Sequence, residues 1–193
     1  MNFDEVFDLI EAEIEGRVAT PRESSRVLID HIKDFEGDHL EIGALYGGTI
    51  ILTAMMKPHG KIFAIDPVDE HGYYGRDDQL IKGKRSRPNS EILRRNLAHF
   101  KVSNRVIHVN KFSHPFPIQD ILFDTAYVDG DHTLEGAYQD FLSIRNIVRH
   151  VIVYDNFDDA HLGVLGAVND AVRNFPEWKL ARTEHNVGVL IRT

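Results

Sequence analysis

Two short acidic runs carry side chains that could do chemistry: Tyr127-Val-Asp129-Gly-Asp131-His132 and Tyr154-Asp155-Asn156. Each closes an apolar run that reads as a buried strand, so its polar groups stand at a strand end. If the two strands are neighbours, Asp129 and Asp155 lie about 5 Å apart. Two carboxylates that close repel, and they need a cation, a shared proton or solvent between them. With the amide oxygen of Asn156 the set is all oxygen, which suits Mg2+ with positions left for water or substrate. His132, three residues after Asp129, has an ordinary pKa near neutrality and is the candidate general base. A plainer alternative makes Asp131 and His132 the boundary of the next helix, where Asp is a common cap. Asp158 and Asp159 read as a solvated face, and His114 and His161 have no spacing that builds a metal site.

A second constellation lies nearer the N-terminus. Glu41-Ile-Gly43-Ala44-Leu-Tyr46-Gly47-Gly48-Thr49 leaves one apolar run and enters a helix, with glycines where the backbone turns sharply or approaches a ligand. Asp66 ends the next apolar run, where a carboxylate can accept two hydrogen bonds from a ribose diol. Alternatively the glycines only turn the chain and Asp66 only closes a strand. The spacing is not G-x-G-x-x-G, so a phosphate-cradling turn is not spelled out, and no second domain is evident to hold a hydride acceptor.

The elements that must position these residues alternate between short apolar runs and helical stretches. Strands are expected at 39 to 44, 61 to 66, 105 to 110, 125 to 130 and 151 to 156, with helices near 47 to 57, 89 to 100, 134 to 148 and 161 to 174. This is the alternation of an α/β, doubly wound, mostly parallel sheet covered on both faces. EWKLARTE, His185-Asn186 and VGVLIRT read as two strands and a tight turn, an antiparallel hairpin at the C-terminus. Upstream, Phe3, Val6, Phe7, Ile10 and Ile14 recur at helical spacing. Thr20-Pro21-Arg22-Glu23 reads as an N-cap, a first-turn proline and a capping-box glutamate, with Val27, Leu28, Ile32 and Phe35 on the buried face. Residues 1–37 are therefore expected to pack as helices on a catalytic domain at 38–193. Residues 67 to 88 are polar, glycine-containing and long for a connection, which fits a lid. Their Arg76, Lys82, Lys84, Arg85 and Arg87 either draw in an anionic acceptor or are simply solvated.

Bulk properties narrow the classes. The chain has 193 residues, 42% of them hydrophobic, enough for one substantial core. A net charge of −8 argues against a general grip on nucleic acid or an anionic membrane. With no cysteine, neither disulfides nor thiolate metal sites arise. The acidic, amphipathic start lacks the features of a signal peptide, and no stretch approaches the roughly 20 apolar residues of a membrane span, so a cytoplasmic location is expected.

The E-x-G-x-x-x-G-G-[ST] loop with a strand-ending Asp resembles motif I and the following acidic position of class I S-adenosylmethionine-dependent methyltransferases, particularly the macrocin-type O-methyltransferases, in which the D-G-D-H string also occurs. Asp129 with the Asp155-Asn156 pair resembles the magnesium-dependent catechol and caffeoyl-coenzyme A O-methyltransferases. Leu45 stands where the commoner family loop has a glycine, and His132 stands where the catechol type has a lysine. The resemblance covers roughly 38 to 193. It implies a donor site for S-adenosyl-L-methionine of Glu41, Gly43, Ala44, Tyr46, Gly47, Asp66 and Asp129. Phe112 would stack on the adenine and Ser113 would hydrogen-bond it, although an aromatic in a loop also simply covers core. Metal ligands would be Asp129, Asp155 and Asn156, with His132 and Asp129 catalytic.

The reaction so implied is methyl transfer to a hydroxyl of a small molecule, assisted by Mg2+ or another divalent cation. The expected partner is a hydroxylated small-molecule acceptor, with neither nucleic acid nor membrane, and a homodimer through the N-terminal helices stays open. Two rivals remain: a metal-independent methyltransferase of the same fold, and a non-catalytic nucleotide-binding module.

Overall fold

Local chemistry sets the first helix. Asn2 and Glu5 form a reciprocal capping box at the start of α1 (Phe3–Glu13), with Asp4 and Glu5 at its positive end. The apolar stripe Phe3, Val6, Phe7 and Ile10 is buried. In α2 (Arg22–Ile32) the cap is Pro21, not Thr20 as expected, and no side chain caps the helix. Thr20 is instead turned inward, its hydroxyl 3.1 Å from that of Tyr127. The structure, a computed structural model, describes residues 1–70 and 88–193. Most of the expected lid and all five of its basic residues, Arg76, Lys82, Lys84, Arg85 and Arg87, lie outside the described residues.

The remaining elements are β1 (His39–Ile42), α3 (Gly48–Met56), β2 (Ile62–Ile65), α4 (Asn89–His99), β3 (Val106–Val109), β4 (Phe123–Val128), α5 (Leu134–Ile144), β5 (Val148–Tyr154), α6 (Leu162–Asn174), β6 (Trp178–Glu184) and β7 (Val187–Arg192). A short 3-10 turn follows β2 at Val68–Glu70. Among the described residues seven strands form one sheet in the order β3-β2-β1-β4-β5-β7-β6. β1 to β5 run parallel, and β7 is inserted antiparallel between β5 and β6. His185 and Asn186 both have positive φ, the left-handed pair that a two-residue hairpin of matching twist requires.

Each sheet face is covered. One core joins α1, α2, α3 and α4 to side chains such as Ala64, Val153 and Val189, and the other joins α5 and α6 to Ile42, Val128 and Ile152. The Ser24 hydroxyl also donates to the His185 carbonyl at 2.6 Å, tying α2 to the hairpin turn. No helix among the described residues is long and apolar enough to cross a membrane.

At the amino ends of the strands, the buried Lys57 ammonium donates to the carbonyls of Phe35, Gly37 and His59. Nearby His39 is fully buried, with Nδ1 2.8 Å from the Thr125 hydroxyl. Burial, reinforced by the Lys57 charge, pushes its pKa down to about 3. Because the folded pKa lies below the ordinary value near 6.5, this histidine contributes stability that is present above pH 6.5 and is lost as pH falls toward 3. His39→Asn, which keeps a polar partner for Thr125, is expected to flatten this dependence. Between pH 7 and pH 5 the wild type should lose about 2 kcal/mol more than the variant in urea denaturation. Parallel losses in the two proteins would contradict the assignment.

Candidate active site

Strand register assembles the site. Ile42, Ile65 and Val109 are aligned across β1, β2 and β3, and Ile42, Val128 and Tyr154 across β1, β4 and β5. The next residues, Gly43, Asp66, Asn110, Asp129 and Asp155, therefore form one rim at the carboxyl ends. The strand order reverses between β1 and β4, the place where a doubly wound sheet opens a crevice. A cavity of about 550 Å³ lies there, walled by residues 43–46, Gly48, Thr49, Asp66, residues 112–114 and 129–132, and covered by Arg17, Ala19 and Thr20.

Gly43 has φ +94°, and a Cβ on it would lie 2.0 Å from the Asp129 carbonyl oxygen. Only glycine lets the β1 and β4 ends approach this closely. Leu45 has φ +41°, the left-handed conformation glycine adopts at least cost. The loop thus follows a glycine-like path with a leucine in it. Asp66 holds it there, with Oδ2 accepting from the backbone N–H of Ala44 at 2.6 Å and of Leu45 at 2.9 Å.

Of the expected donor-site residues, Gly43, Ala44, Tyr46, Asp66, Phe112, Ser113 and Asp129 line the cavity. Glu41 and Gly47 do not. Glu41 is fully buried behind the wall, accepting from the Thr49 hydroxyl through Oε1, while Oε2 has no hydrogen-bond partner. Burial pushes the Glu41 carboxyl well above its usual range, and the charges of Asp129 and Asp66 add to the shift. Gly47 starts α3 with φ +87°, and its missing side chain would meet Leu93.

At the opposite side, His132 Nε2 stands 3.4 Å from Asp129 Oδ1. That hydrogen bond, together with the charge of Asp129, raises the His132 pKa against the effect of burial. Burial raises Asp129 too, opposed by His132. Burial and the charge of Asp129 push Asp155 up to about 7, opposed by hydrogen bonds from Asn156 and Tyr127. Asp155 and Asn156 lie beside this cavity and not in its wall.

The oxygen-only donors Asp129, Asp155 and Asn156 fit a hard divalent cation in their chemistry, and the half-buried Asp129 and buried Asp155 are countered by His132, with Arg17 acting on Asp129. Among the described residues no group of three His, Cys, Asp or Glu side chains stands ready to hold a metal. The expected set contains only two.

Some roles differ from the sequence reading. Thr133, not Asp131 or His132, caps α5, accepting from the Gly136 N–H at 3.0 Å. Asp131 accepts from the Thr133 N–H one step earlier. Asp158 is not a free solvated acid: it accepts from the backbone of Ala160 and His161 and from the His161 ring. Against desolvation, these bonds hold its pKa below the usual range. His161 in turn meets the His132 ring edge to face at 5.4 Å. Arg17 and Thr20 were missed because they lie in the connection between two helices, where spacing carries no signal. Gly16, where an added Cβ would meet the Tyr46 ring at 2.5 Å, lets this connection lie against the loop.

Residues 40–157 match a family model described as a methyltransferase domain. Comparison with curated proteins returned no significant match. Among solved structures, an O-methyltransferase from Bacillus cereus in complex with SAH is similar at 15% identity and a TM-score of 0.63, with 99% of this chain and 90% of that chain covered. A SAM-dependent O-methyltransferase from Thermotoga maritima is similar at 12% identity and a TM-score of 0.66, covering 97% and 71%. TomG, an O-methyltransferase from Streptomyces achromogenes involved in tomaymycin synthesis and solved in complex with SAM, is similar at 17% identity and a TM-score of 0.58, covering 98% and 90%. At these identities the likeness is one of fold.

The contact at Gly43 yields a direct expectation. Gly43→Ala combines an unfavourable φ with a backbone clash that no flexible side chain can relieve, and should cost more than about 3 kcal/mol in urea denaturation. A loss below about 1 kcal/mol would mean that the two strand ends are not held this close.

Proposed function

The chain belongs to the methyltransferase-domain family, and from that premise we propose that it transfers a methyl group from S-adenosyl-L-methionine to a hydroxyl of a small molecule, assisted by a divalent cation such as Mg2+. One observation carries this reading: the cavity is bordered by the carboxylates of Asp66 and Asp129, with the buried Glu41 behind them. Crowded acids of this kind favour a ligand with positive charge. The donor supplies a methyl group on a cationic sulfonium together with an ammonium. A dinucleotide, with its phosphates, would meet repulsion at the same wall.

Each residue then has a task. Asp66 binds the ribose diol while keeping the loop backbone in place, and Gly43 gives the donor access to backbone. Arg17, whose charge acts on Asp129, suits the carboxylate of the methionine head. His132 accepts the proton of the acceptor hydroxyl, and Asp129 orients its ring and stabilises the imidazolium. Asp129, Asp155 and Asn156 would hold the cation, which when bound lowers the pKa of an acceptor oxygen. Alignment of acceptor and methyl group in a site shielded from water supplies much of the rest. The neighbours from Bacillus cereus and Streptomyces achromogenes, named as O-methyltransferases and solved with SAH and SAM, support the donor and the hydroxyl acceptor.

A metal-independent mechanism is the second reading, favoured by the pairing of Asp129 with His132, which supplies a positive partner once His132 is protonated. The test is methyl transfer to a panel of phenolic and sugar hydroxyls, with Mg2+ and with chelator. Metal assistance predicts a fall of roughly 100-fold or more in chelator and in Asp155→Ala. His132→Ala should lose about 100-fold near neutral pH and recover as pH rises, since hydroxide replaces the missing base. Full activity in chelator and in Asp155→Ala would leave the metal-free mechanism, and no transfer to any hydroxyl would remove the O-methyltransferase reading.

A further inference from the structure

One buried acid has no part in the chemistry above. Asp140, on α5, is 1% exposed and reaches toward the cavity from behind. Its Oδ1 accepts from the Ser113 hydroxyl and faces His114 Nδ1 at 3.5 Å. His114 Nδ1 is also 3.2 Å from Ser113 Oγ. Oδ2 has no hydrogen-bond partner and lies under Gly130, where an added Cβ would meet it at 3.0 Å. Asp140 therefore sits between two parts of the cavity wall, the Ser113-His114 loop and the Gly130 turn.

The polarity of this cluster follows from what each group can donate. A carboxylate only accepts, so the Ser113 hydroxyl hydrogen is committed to Asp140. Burial raises the Asp140 pKa, while the bonds from Ser113 and His114 act in the opposite sense, as bonds to an anion do. His114 Nδ1, facing the carboxylate at 3.5 Å, is held there in the tautomer that can donate to it. Toward the cavity, Ser113 Oγ can then offer only a lone pair.

We propose that Asp140 is a positioning residue that leaves the Ser113 hydroxyl only a lone pair to offer and so selects a donor whose base carries an exocyclic amino group over one that carries a carbonyl there. The inference rests on the S-adenosylmethionine reading. Within the cavity the charged head of such a donor goes to Arg17 and Asp129 and its diol to Asp66, which leaves the base to Phe112, Ser113 and His114. A 6-amino group donates to the free lone pair on Ser113. A 6-oxo group brings a lone pair against it, and the Ser113 hydrogen, committed to Asp140, cannot turn toward it. A site that presents a fixed donor or acceptor discriminates strongly, because the wrong ligand leaves a buried polar group unpaired.

The test compares S-adenosylhomocysteine with S-inosylhomocysteine by titration calorimetry on the full chain. The wild type should prefer the adenosyl compound by at least about 10-fold, in line with one well-placed base contact. Asp140→Ala frees the Ser113 hydroxyl to donate, and should shrink the preference to within about 3-fold. Asp140→Asn should retain it, because the amide oxygen still accepts from Ser113. If Asp140→Ala does not fold, Ser113→Ala carries the test and should likewise lose the preference. Equal wild-type affinities for the two compounds would overturn the proposal, as would variants that weaken both by the same factor. Binding of neither compound by the wild type would remove the donor reading itself, and with it this inference.

Discussion

The site depends on a contact that leaves no room for a side chain, between the Cα of Gly43 and the carbonyl oxygen of Asp129. It lets the ends of β1 and β4 converge where the strand order reverses, and convergence is what brings the glycine loop and the acidic turn to one cavity. The parallel register does the remaining placement, since strands that end at a common level put the residues after them on one rim. Asp66 then acts on the loop itself, holding Ala44 and Leu45 by their backbone N–H groups. Leu45 can occupy a left-handed conformation because the carboxylate and the strand contact together leave its backbone little alternative.

Convergence has an electrostatic cost. Glu41, Asp129 and Asp155 are drawn together in a region where burial disfavours their charges, and the pKa of each is pushed up. In the protein alone this is opposed by His132 at Asp129 and by Tyr127 at Asp155. A ligand carrying positive charge relieves it at the same positions. The hydrogen bond to Asp129, with the charges of Asp129, Asp155 and Asp131, likewise raises the basicity of His132.

Much of this arrangement was legible in the sequence because parallel strands buried on both faces leave continuous apolar runs, and polar residues at their ends stand out. Asp66, Asp129 and Asp155 were visible for that reason, as was the hairpin, whose His185-Asn186 turn separates two apolar stretches. What was not legible is whatever depends on contact across the fold. Thr20 looks like a helix cap by local pattern, yet its partner is Tyr127, 107 positions away. Arg17 sits in an unpatterned connection. Asp140 reads as one polar position of an amphipathic helix, and only the structure shows it buried against Ser113. Leu45 looked like a departure from the family's glycine, and its backbone takes the positive φ that glycine adopts at least cost.

The central claim is that this cavity holds an S-adenosyl donor with Asp66 at its ribose. Titration of S-adenosylhomocysteine into the wild type and into Asp66→Ala tests it most directly. The account predicts saturable binding by the wild type and affinity at least about 10-fold weaker in the variant, since Asp66→Ala removes both the ribose contacts and the anchor of the loop. Absence of binding by the wild type, or equal affinity in a folded variant, would contradict it.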